Sequence, residues 1–277
     1  MHKRVTVTAF PPLHPRSSLG QNFLRDPNVA RKIIAAFAPG PQDTVVEIGP
    51  GEGALTHELA ARAGKLIVVE LDDRAIDRLR LDLSGTTVEI LHEDILRVDL
   101  SAIAARGGRL RVVGNIPYNI TTPILFHLLE HRADIRHAVL MMQREVAVRL
   151  TASPGNKDYG ILSVMCQFFA EVDVLFDVSP HVFYPRPAVT SALVHVTMRA
   201  APRAAVDDEA FFRAMVRAVF GKRRKTLRNS LRYFLEEEPP GGLEDTLRRR
   251  PEELSIEELA ELSNRLIAVR RPGKTSA

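Results

Sequence analysis

The chain has 277 residues, 45% of them hydrophobic and 26% charged, enough for one or two domains with a sizeable core. Its single cysteine, Cys166, excludes a disulfide framework, and no apolar run reaches the length of a membrane span or a signal-peptide core, so composition points to the cytoplasm. Net charge is +4 with a pI of about 9.4, but Lys and Arg crowd into 222–232 while acids gather in 236–260, an imbalance that favours a polyanionic partner.

Residues 1–18 lack periodicity and carry Lys3, Arg4 and Arg16 among several prolines, so they read as a flexible basic arm. Asp26 then stands as a helix N-cap with Pro27 at the first helical position. Val29, Ile33 and Phe37 recur every four residues, with Ala30 and Ile34 beside them, giving one apolar helix face. A strand-loop-helix rhythm follows. Strands are expected at 44–48, 65–70, 87–91, 110–113 and 138–142, with a glycine loop at 49–53 and helices at 54–62 and around Ile76 and Leu79. Residues 159–169 look helical, and 172–176 and 192–198 look like two further strands at one edge. Such alternation predicts an α/β fold, a doubly wound Rossmann-like parallel sheet spanning residues 19–200. After a linker at 199–209 the pattern is all helical through 207–277: an apolar face at Phe211, Met215 and Val219, a basic helix over 222–232, a Pro-Gly break at 239–242 and a capping-box start at Ser255-Ile256-Glu257-Glu258. On the basic helix, Leu227 and Leu231 mark an inward side and leave Arg223, Arg224 and Arg228 outward. They form either a solvated face or a set of phosphate contacts.

The carboxyl ends of the strands carry the chemistry, because ligands of open α/β sheets bind there. Gly49 and Gly51 let the backbone approach a ligand closely. Glu70 ends the next strand, where an acid can accept from ribose hydroxyls, and Asp94 ends the third, where a carboxylate can accept from an adenine amine or cap the following turn. Asn115, Ile116, Pro117 and Tyr118 end the fourth, combining a side-chain acceptor, a rigid carbonyl and an aromatic ring suited to gripping a flat amine-bearing ring. Together these positions describe an adenosine whose far end reaches an amine site. The nucleotide is a nicotinamide cofactor or S-adenosylmethionine; no His, Lys or Tyr is placed for hydride chemistry, while the Asn-Pro-Tyr grip suits group transfer to nitrogen. Scattered histidines with no cysteine pair imply no metal.

Several stretches resemble the ribosomal RNA adenine dimethyltransferases: Gln21-Asn22-Phe23-Leu24, residues 47–53 (EIGPGEG), 115–119 (NIPYN), 143–147 (QREVA), 159–164 (YGILSV) and 179–191 (SPHVFYPRPAVTS). The similarity runs from about Leu19 to Val269 and is strongest to bacterial members that dimethylate two adjacent adenosines near the 3′ end of small-subunit ribosomal RNA. It implies S-adenosylmethionine as the donor, with Asn22 and Leu24 against its methionine part, Gly49 beside them, Glu70 on the ribose, Asp94 on the adenine and Asn115 between cofactor and target. It further implies that Tyr118 stacks on the target adenine, that Phe183 covers its other face, and that hydrogen bonds from the target amine to Asn115 and the Pro117 carbonyl localise its lone pair. The implied partner is small-subunit ribosomal RNA in an assembling 30S particle, and the enzyme is expected to be a monomer. Two alternatives carry weight: a non-catalytic RNA- or DNA-binding assembly or transcription factor on the same fold, and a large-subunit RNA methylase of the antibiotic-resistance type, whose shorter C-terminal domain fits this helical tail less well.

Overall fold

The structure, a computed structural model, describes residues 12–222, 225–235 and 238–267. Contacts divide it into two compact units. The first comprises the described residues up to Ala147 together with Asp173–Met198; the second comprises Val148–Val172 and the described residues from Arg199 on.

The first unit is built on a seven-stranded sheet, all of it but residues 170–172, which open an edge strand. Its strands are β2 (Thr44–Ile48), β3 (Lys65–Glu70), β4 (Glu89–His92), β5 (Leu110–Asn115), β6 (Ile135–Gln143), β7 (Ala170–Val178) and β9 (Ser191–Met198), in the order β4-β3-β2-β5-β6-β9-β7. The pairs among β4, β3, β2, β5 and β6 are parallel, and β9 runs antiparallel to β6. Two short strands, β1 (Phe23–Leu24) and β8 (Phe183–Tyr184), pair antiparallel beside it. Helix α1 (Pro27–Phe37) starts as its sequence predicts: Asp26 accepts hydrogen bonds from the Asn28 and Val29 N–H groups, and Pro27 sits where no donor is needed. Its buried face (Ala30, Ile33, Ile34, Phe37) joins Leu59 of α2 (Thr56–Arg62), Leu55 just before that helix, and alternate strand residues Val45, Val68, Val113 and Val139 in one core cluster. Val46, Ile67, Val69 and Val112 point to the other side with the strand period of two. On the chain between the strands lie α3 (Asp73–Asp82), α4 (Leu100–Ala104) and α5 (Thr121–Glu130). Strand order reverses between β2 and β5, so the chain leaves these neighbours in opposite directions and opens a crevice at their carboxyl ends.

Helix α6 (Arg144–Thr151) leads from one unit to the other. The second unit holds α7 (Ile161–Phe169), α8 (Glu209–Phe220), α9 (Leu227–Leu231), α10 (Glu244–Arg248) and α11 (Ile256–Ile267). Helical periodicity alone leaves α7 with the sheet; in the structure its aromatic residues pack in this unit, with Phe168 stacked on Phe212 at 4.4 Å. Tyr159, just before α7, meets Phe220 edge-on. The stretch expected to be a free linker is tied here too, since Arg203 donates its N–H to the Phe168 carbonyl at 2.8 Å and pairs with Glu257 at 2.7 Å. At the start of α11 Ser255 and Glu258 exchange hydrogen bonds in a capping box. The basic helix is shorter than expected. Among the described residues only Leu227–Leu231 is helical there, because Thr226 is extended (ψ 161°) and ends any continuation toward Lys222.

Candidate active site

A single pocket gathers the carboxyl ends of β2, β3 and β5, the turn after β4 and the loop 18–24. The approach of β2 and β5 depends on Gly114, where a Cβ would lie 2.5 Å from the Ile48 carbonyl oxygen. Past the end of β2, Gly51 has a positive φ of 54° and a Cβ there would meet the Phe23 ring at 2.9 Å, so the glycine loop can pass beneath the loop 18–24 only without side chains. Among the described residues the pocket lining carries Glu47, Glu52, Glu70, Glu93 and Asp94, and no Lys, Arg or His.

Glu70, at the end of β3, is buried and accepts three backbone hydrogen bonds: Gly51 N–H on Oε2 at 3.1 Å, and Leu71 and Asp72 N–H on Oε1 at 2.8 and 2.9 Å. Burial raises its pKa and the three donors pull it back. A carboxylate offers about four acceptor positions. One therefore remains, on Oε2, where the sequence alone allowed two. Glu47, buried on β2, is pushed up to about 8 by burial, against a lowering contribution from Thr56 and with the Glu70 charge adding to the rise. Burial favours its protonated form, and its Oε2 has no hydrogen-bond partner among the described residues. Asp72 has the opposite fate: burial would raise it, but Arg74 and Gln21 donate to it and hold it at about 2. The Gln21 Nε2 to Asp72 Oδ2 distance is 2.8 Å, which fastens the loop 18–24 to the residues after β3.

The segment expected to be a free arm is held, where it is described, to the same unit. Leu13 donates its N–H to Glu52 Oε1 at 2.8 Å, and Arg74 donates to the His14 carbonyl at 2.8 Å. Glu52 also faces Arg78 at 3.3 Å and Arg25 at 3.6 Å. Glu52 lies in the glycine stretch 47–53 and Asp72 outside every motif, and the spacing of neither acid marks the partners it takes.

Asn115 ends β5 beside the glycine loop. Its Nδ2 donates to the Asn22 backbone carbonyl at 2.7 Å, which fixes the carboxamide and turns its Oδ1 acceptor away from that carbonyl. Asn22 itself donates from Nδ2 to the Gly20 carbonyl at 3.3 Å. The Pro117 carbonyl accepts two long hydrogen bonds, from Thr121 Oγ1 at 3.2 Å and Ile120 N–H at 3.3 Å. Tyr118 follows on the pocket wall, its hydroxyl 2.5 Å from Ser191 Oγ. Asp94 lines the pocket while its Oδ1 caps the short turn Ile95–Arg97 through Leu96 N–H at 3.0 Å, so the capping expectation holds for one of its oxygens.

The structure thus brings Asn22, Leu24, Gly49, Gly51, Glu70, Asp94, Asn115, Pro117 and Tyr118 together around one pocket. It does not bring Phe183 there. Leu24 pairs with Phe183 across β1 and β8, strand parity turns the Phe183 ring into the core cluster with Phe37 and Leu193, and Tyr184 faces outward instead. In the second unit Arg228 is exposed on α9, whereas Arg223 and Arg224 lie outside the described residues. Among the described residues no group of three or more His, Cys, Asp or Glu side chains is placed to hold a metal ion.

The residues fit a cationic adenosine ligand better than a dinucleotide. A pocket whose described lining gathers carboxyls suits a positive sulfonium and ammonium. Comparison with known proteins agrees. The family model for ribosomal RNA adenine dimethylases matches residues 13–267. A ribosomal RNA small subunit methyltransferase A from Aromatoleum aromaticum is 46% identical over 255 residues, covering 91% of this chain and 94% of that protein. The crystal structure of a dimethyladenosine transferase from Plasmodium falciparum superposes with a TM-score of 0.71 at 26% identity, covering 87% of this chain and 95% of that one. The 23S rRNA methyltransferase ErmE gives a TM-score of 0.64 at 30% identity, covering 89% of this chain and all of the other, 100%.

Proposed function

The chain belongs to the ribosomal RNA adenine dimethylase family, and from that premise we propose that it methylates the 6-amino groups of two adjacent adenosines in the 3′-terminal hairpin loop of small-subunit ribosomal RNA. The donor of this family is S-adenosylmethionine, which when bound supplies a methyl group on a sulfonium that leaves as a neutral thioether. Asn22 and Leu24 in the loop 18–24 and the bare backbone at Gly49 and Gly51 make room for the methionine part. Glu70 offers its remaining acceptor position to the ribose, and Asp94 offers an oxygen to the adenine amine.

The observation that carries the reading is the tethered Asn115 carboxamide. With Nδ2 committed to the Asn22 carbonyl, Oδ1 is the acceptor this pocket-lining carboxamide has to offer a ligand. An adenine amine is a poor nucleophile because its lone pair is delocalised into the ring. Accepting an N–H at Asn115 Oδ1, and a second at the Pro117 carbonyl in place of one of its long internal bonds, draws the nitrogen out of plane and aims its lone pair. Tyr118 supplies the face on which the ring stacks. Each methyl transfer then releases one proton from the nitrogen to water, two in all for a dimethylated amine. Phe183 acts from behind, as packing for Leu24; a place on the target would require it to leave the core. The C-terminal segment 207–277, with Arg223, Arg224 and Arg228, contacts RNA phosphates. The protein acts as a cytoplasmic monomer on an assembling 30S particle.

Transfer of radiolabelled methyl groups to immature 30S particles, followed by nucleoside analysis, tests the proposal. Label in dimethyladenosine of the small-subunit RNA is expected. Label confined to large-subunit RNA, or none in adenosine, would refute it.

A further inference from the structure

We propose that Ser191 is a positioning residue for methyl transfer, acting through Tyr118. The inference rests on the reading of Tyr118 as the stacking face for the target base. Ser191 opens β9, paired with Gln143 at the far end of β6, and is fully buried. Its hydroxyl lies 2.5 Å from that of Tyr118, 73 positions earlier in the chain. Tyr118 leaves the main chain just after Pro117, whose ring fixes φ at −58°. The side chain is therefore held at two points, Cβ on a rigid turn and Oη on the sheet. Those two points define the long axis of the ring and fix χ1. Rotation about χ2 moves neither anchor, so the ring can still turn its face to fit a base. Without the Ser191 hydroxyl the other staggered χ1 wells open and the ring centroid can leave the pocket wall. Stacking depends on centroid position, which is the variable Ser191 controls. A burial role alone would be different: Ser191 would matter for folding and not for transfer.

The variants Ser191→Ala, Ser191→Thr, Tyr118→Phe, Tyr118→Ala and the Ser191→Ala/Tyr118→Phe pair separate these roles. Single-turnover methylation of immature 30S particles at saturating S-adenosylmethionine would be measured beside thermal melting and calorimetric cofactor affinity. Ser191→Ala and Tyr118→Phe should each slow transfer roughly five- to twentyfold, with cofactor affinity unchanged. The double variant should be no slower than either single one, because both remove the same hydrogen bond. Ser191→Thr, which keeps the hydroxyl, should recover most of the rate. Tyr118→Phe reads the bond from its other end, should Ser191→Ala fail to fold. Transfer within about twofold of wild type in both single variants, or losses that multiply in the double variant, would overturn the proposal. If Tyr118→Ala itself methylates normally, the stacking reading fails as well; if it is impaired while Ser191→Ala and Tyr118→Phe are not, only the anchoring fails.

Discussion

Replacing Asn115 by Asp changes one atom group and makes opposite demands on the two ends of the side chain. The Nδ2 that donates to the Asn22 carbonyl at 2.7 Å becomes an oxygen, so a hydrogen bond turns into a repulsive contact between two acceptors. Loss of such a partly buried bond costs about 1–3 kcal/mol, enough to lower the melting temperature by a few degrees. The acceptor for the target amine survives in form, but the loop 18–24 is no longer tied to it and its aim is lost. The new anion also favours a bound sulfonium over a transition state in which that charge is dispersing. Cofactor affinity should therefore hold nearly level, a weakened loop offset by added attraction, while single-turnover methylation at saturating cofactor falls about 10²-fold or more. Protonation of the introduced carboxyl restores the donor, so the rate of Asn115→Asp should climb as pH is lowered toward about 5. Asn115→Ala, with neither donor nor acceptor, should be at least as slow and show no such recovery. Near-normal single-turnover rates in both variants, with losses confined to melting temperature and cofactor affinity, would refute the assignment of this residue to chemistry.

Other perturbations have equally definite outcomes. Glu70→Gln removes the charge and sets an amide donor against one of the Gly51, Leu71 and Asp72 N–H groups; calorimetry should show cofactor binding weakened by about 1.5–3 kcal/mol with a lower melting temperature, and unchanged affinity in a folded variant would defeat the ribose assignment. Replacing Arg223, Arg224 and Arg228 together with Ala should flatten the salt dependence of RNA binding by up to about two to three units of log–log slope and leave cofactor affinity alone; an unchanged slope would mean a merely solvated face. His137 is held down to about 4 by burial, by Arg111 and by His195, so the folded protein binds fewer protons there than the unfolded chain. Stability should fall as pH drops from about 6.5 and level off near 4, by up to about 3 kcal/mol, and a denaturant series on His137→Asn that kept the full wild-type acid loss would exclude this source.

The parallel sheet and the places of Gly49, Glu70, Asp94 and Asn115 were legible because they rest on local signals: strand-length apolar runs, a glycine cluster after one of them, and polar residues at strand ends. Asp26 and Ser255 likewise cap the helices their spacing announces. What was not legible depends on pairing between distant segments. Phe183 sits in a motif of aromatic and proline residues that suits a ligand loop, but two residues of antiparallel pairing with Leu24 decide which way its ring points. Ser191 closes the stretch 179–191, which says nothing of its partner, and it gains its place because β9 returns antiparallel beside β6. Helix α7 is apolar on enough of its surface to be buried in either unit, and ring packing against Phe212 rather than periodicity settles the choice. The basic stretch has the composition of one helix, yet extended backbone at Thr226 separates Leu227–Leu231 from the residues before it.

Glu70 shows why the site's acids resist a simple division into structural and functional groups. A buried carboxylate with too few donors is pushed toward its protonated form, as Glu47 is, and a protonated Glu70 could not present an anion to a ligand. The Gly51, Leu71 and Asp72 N–H groups pull its pKa back down, so the same bonds that shape the glycine loop and the entry to α3 favour the charged form. Using three of about four acceptor positions for this leaves little to offer a ligand, but what remains is fixed in direction. Asp72 extends the logic one residue further. Its low pKa comes from Arg74 and Gln21, and Gln21 belongs to the loop that carries Asn22 and receives the Asn115 amide. The pocket's walls are thus joined through the Asp72 carboxylate on one side and a carboxamide on the other, so a change that neutralises Asp72 should loosen the loop that aims Asn115 even though Asp72 lies outside the pocket lining.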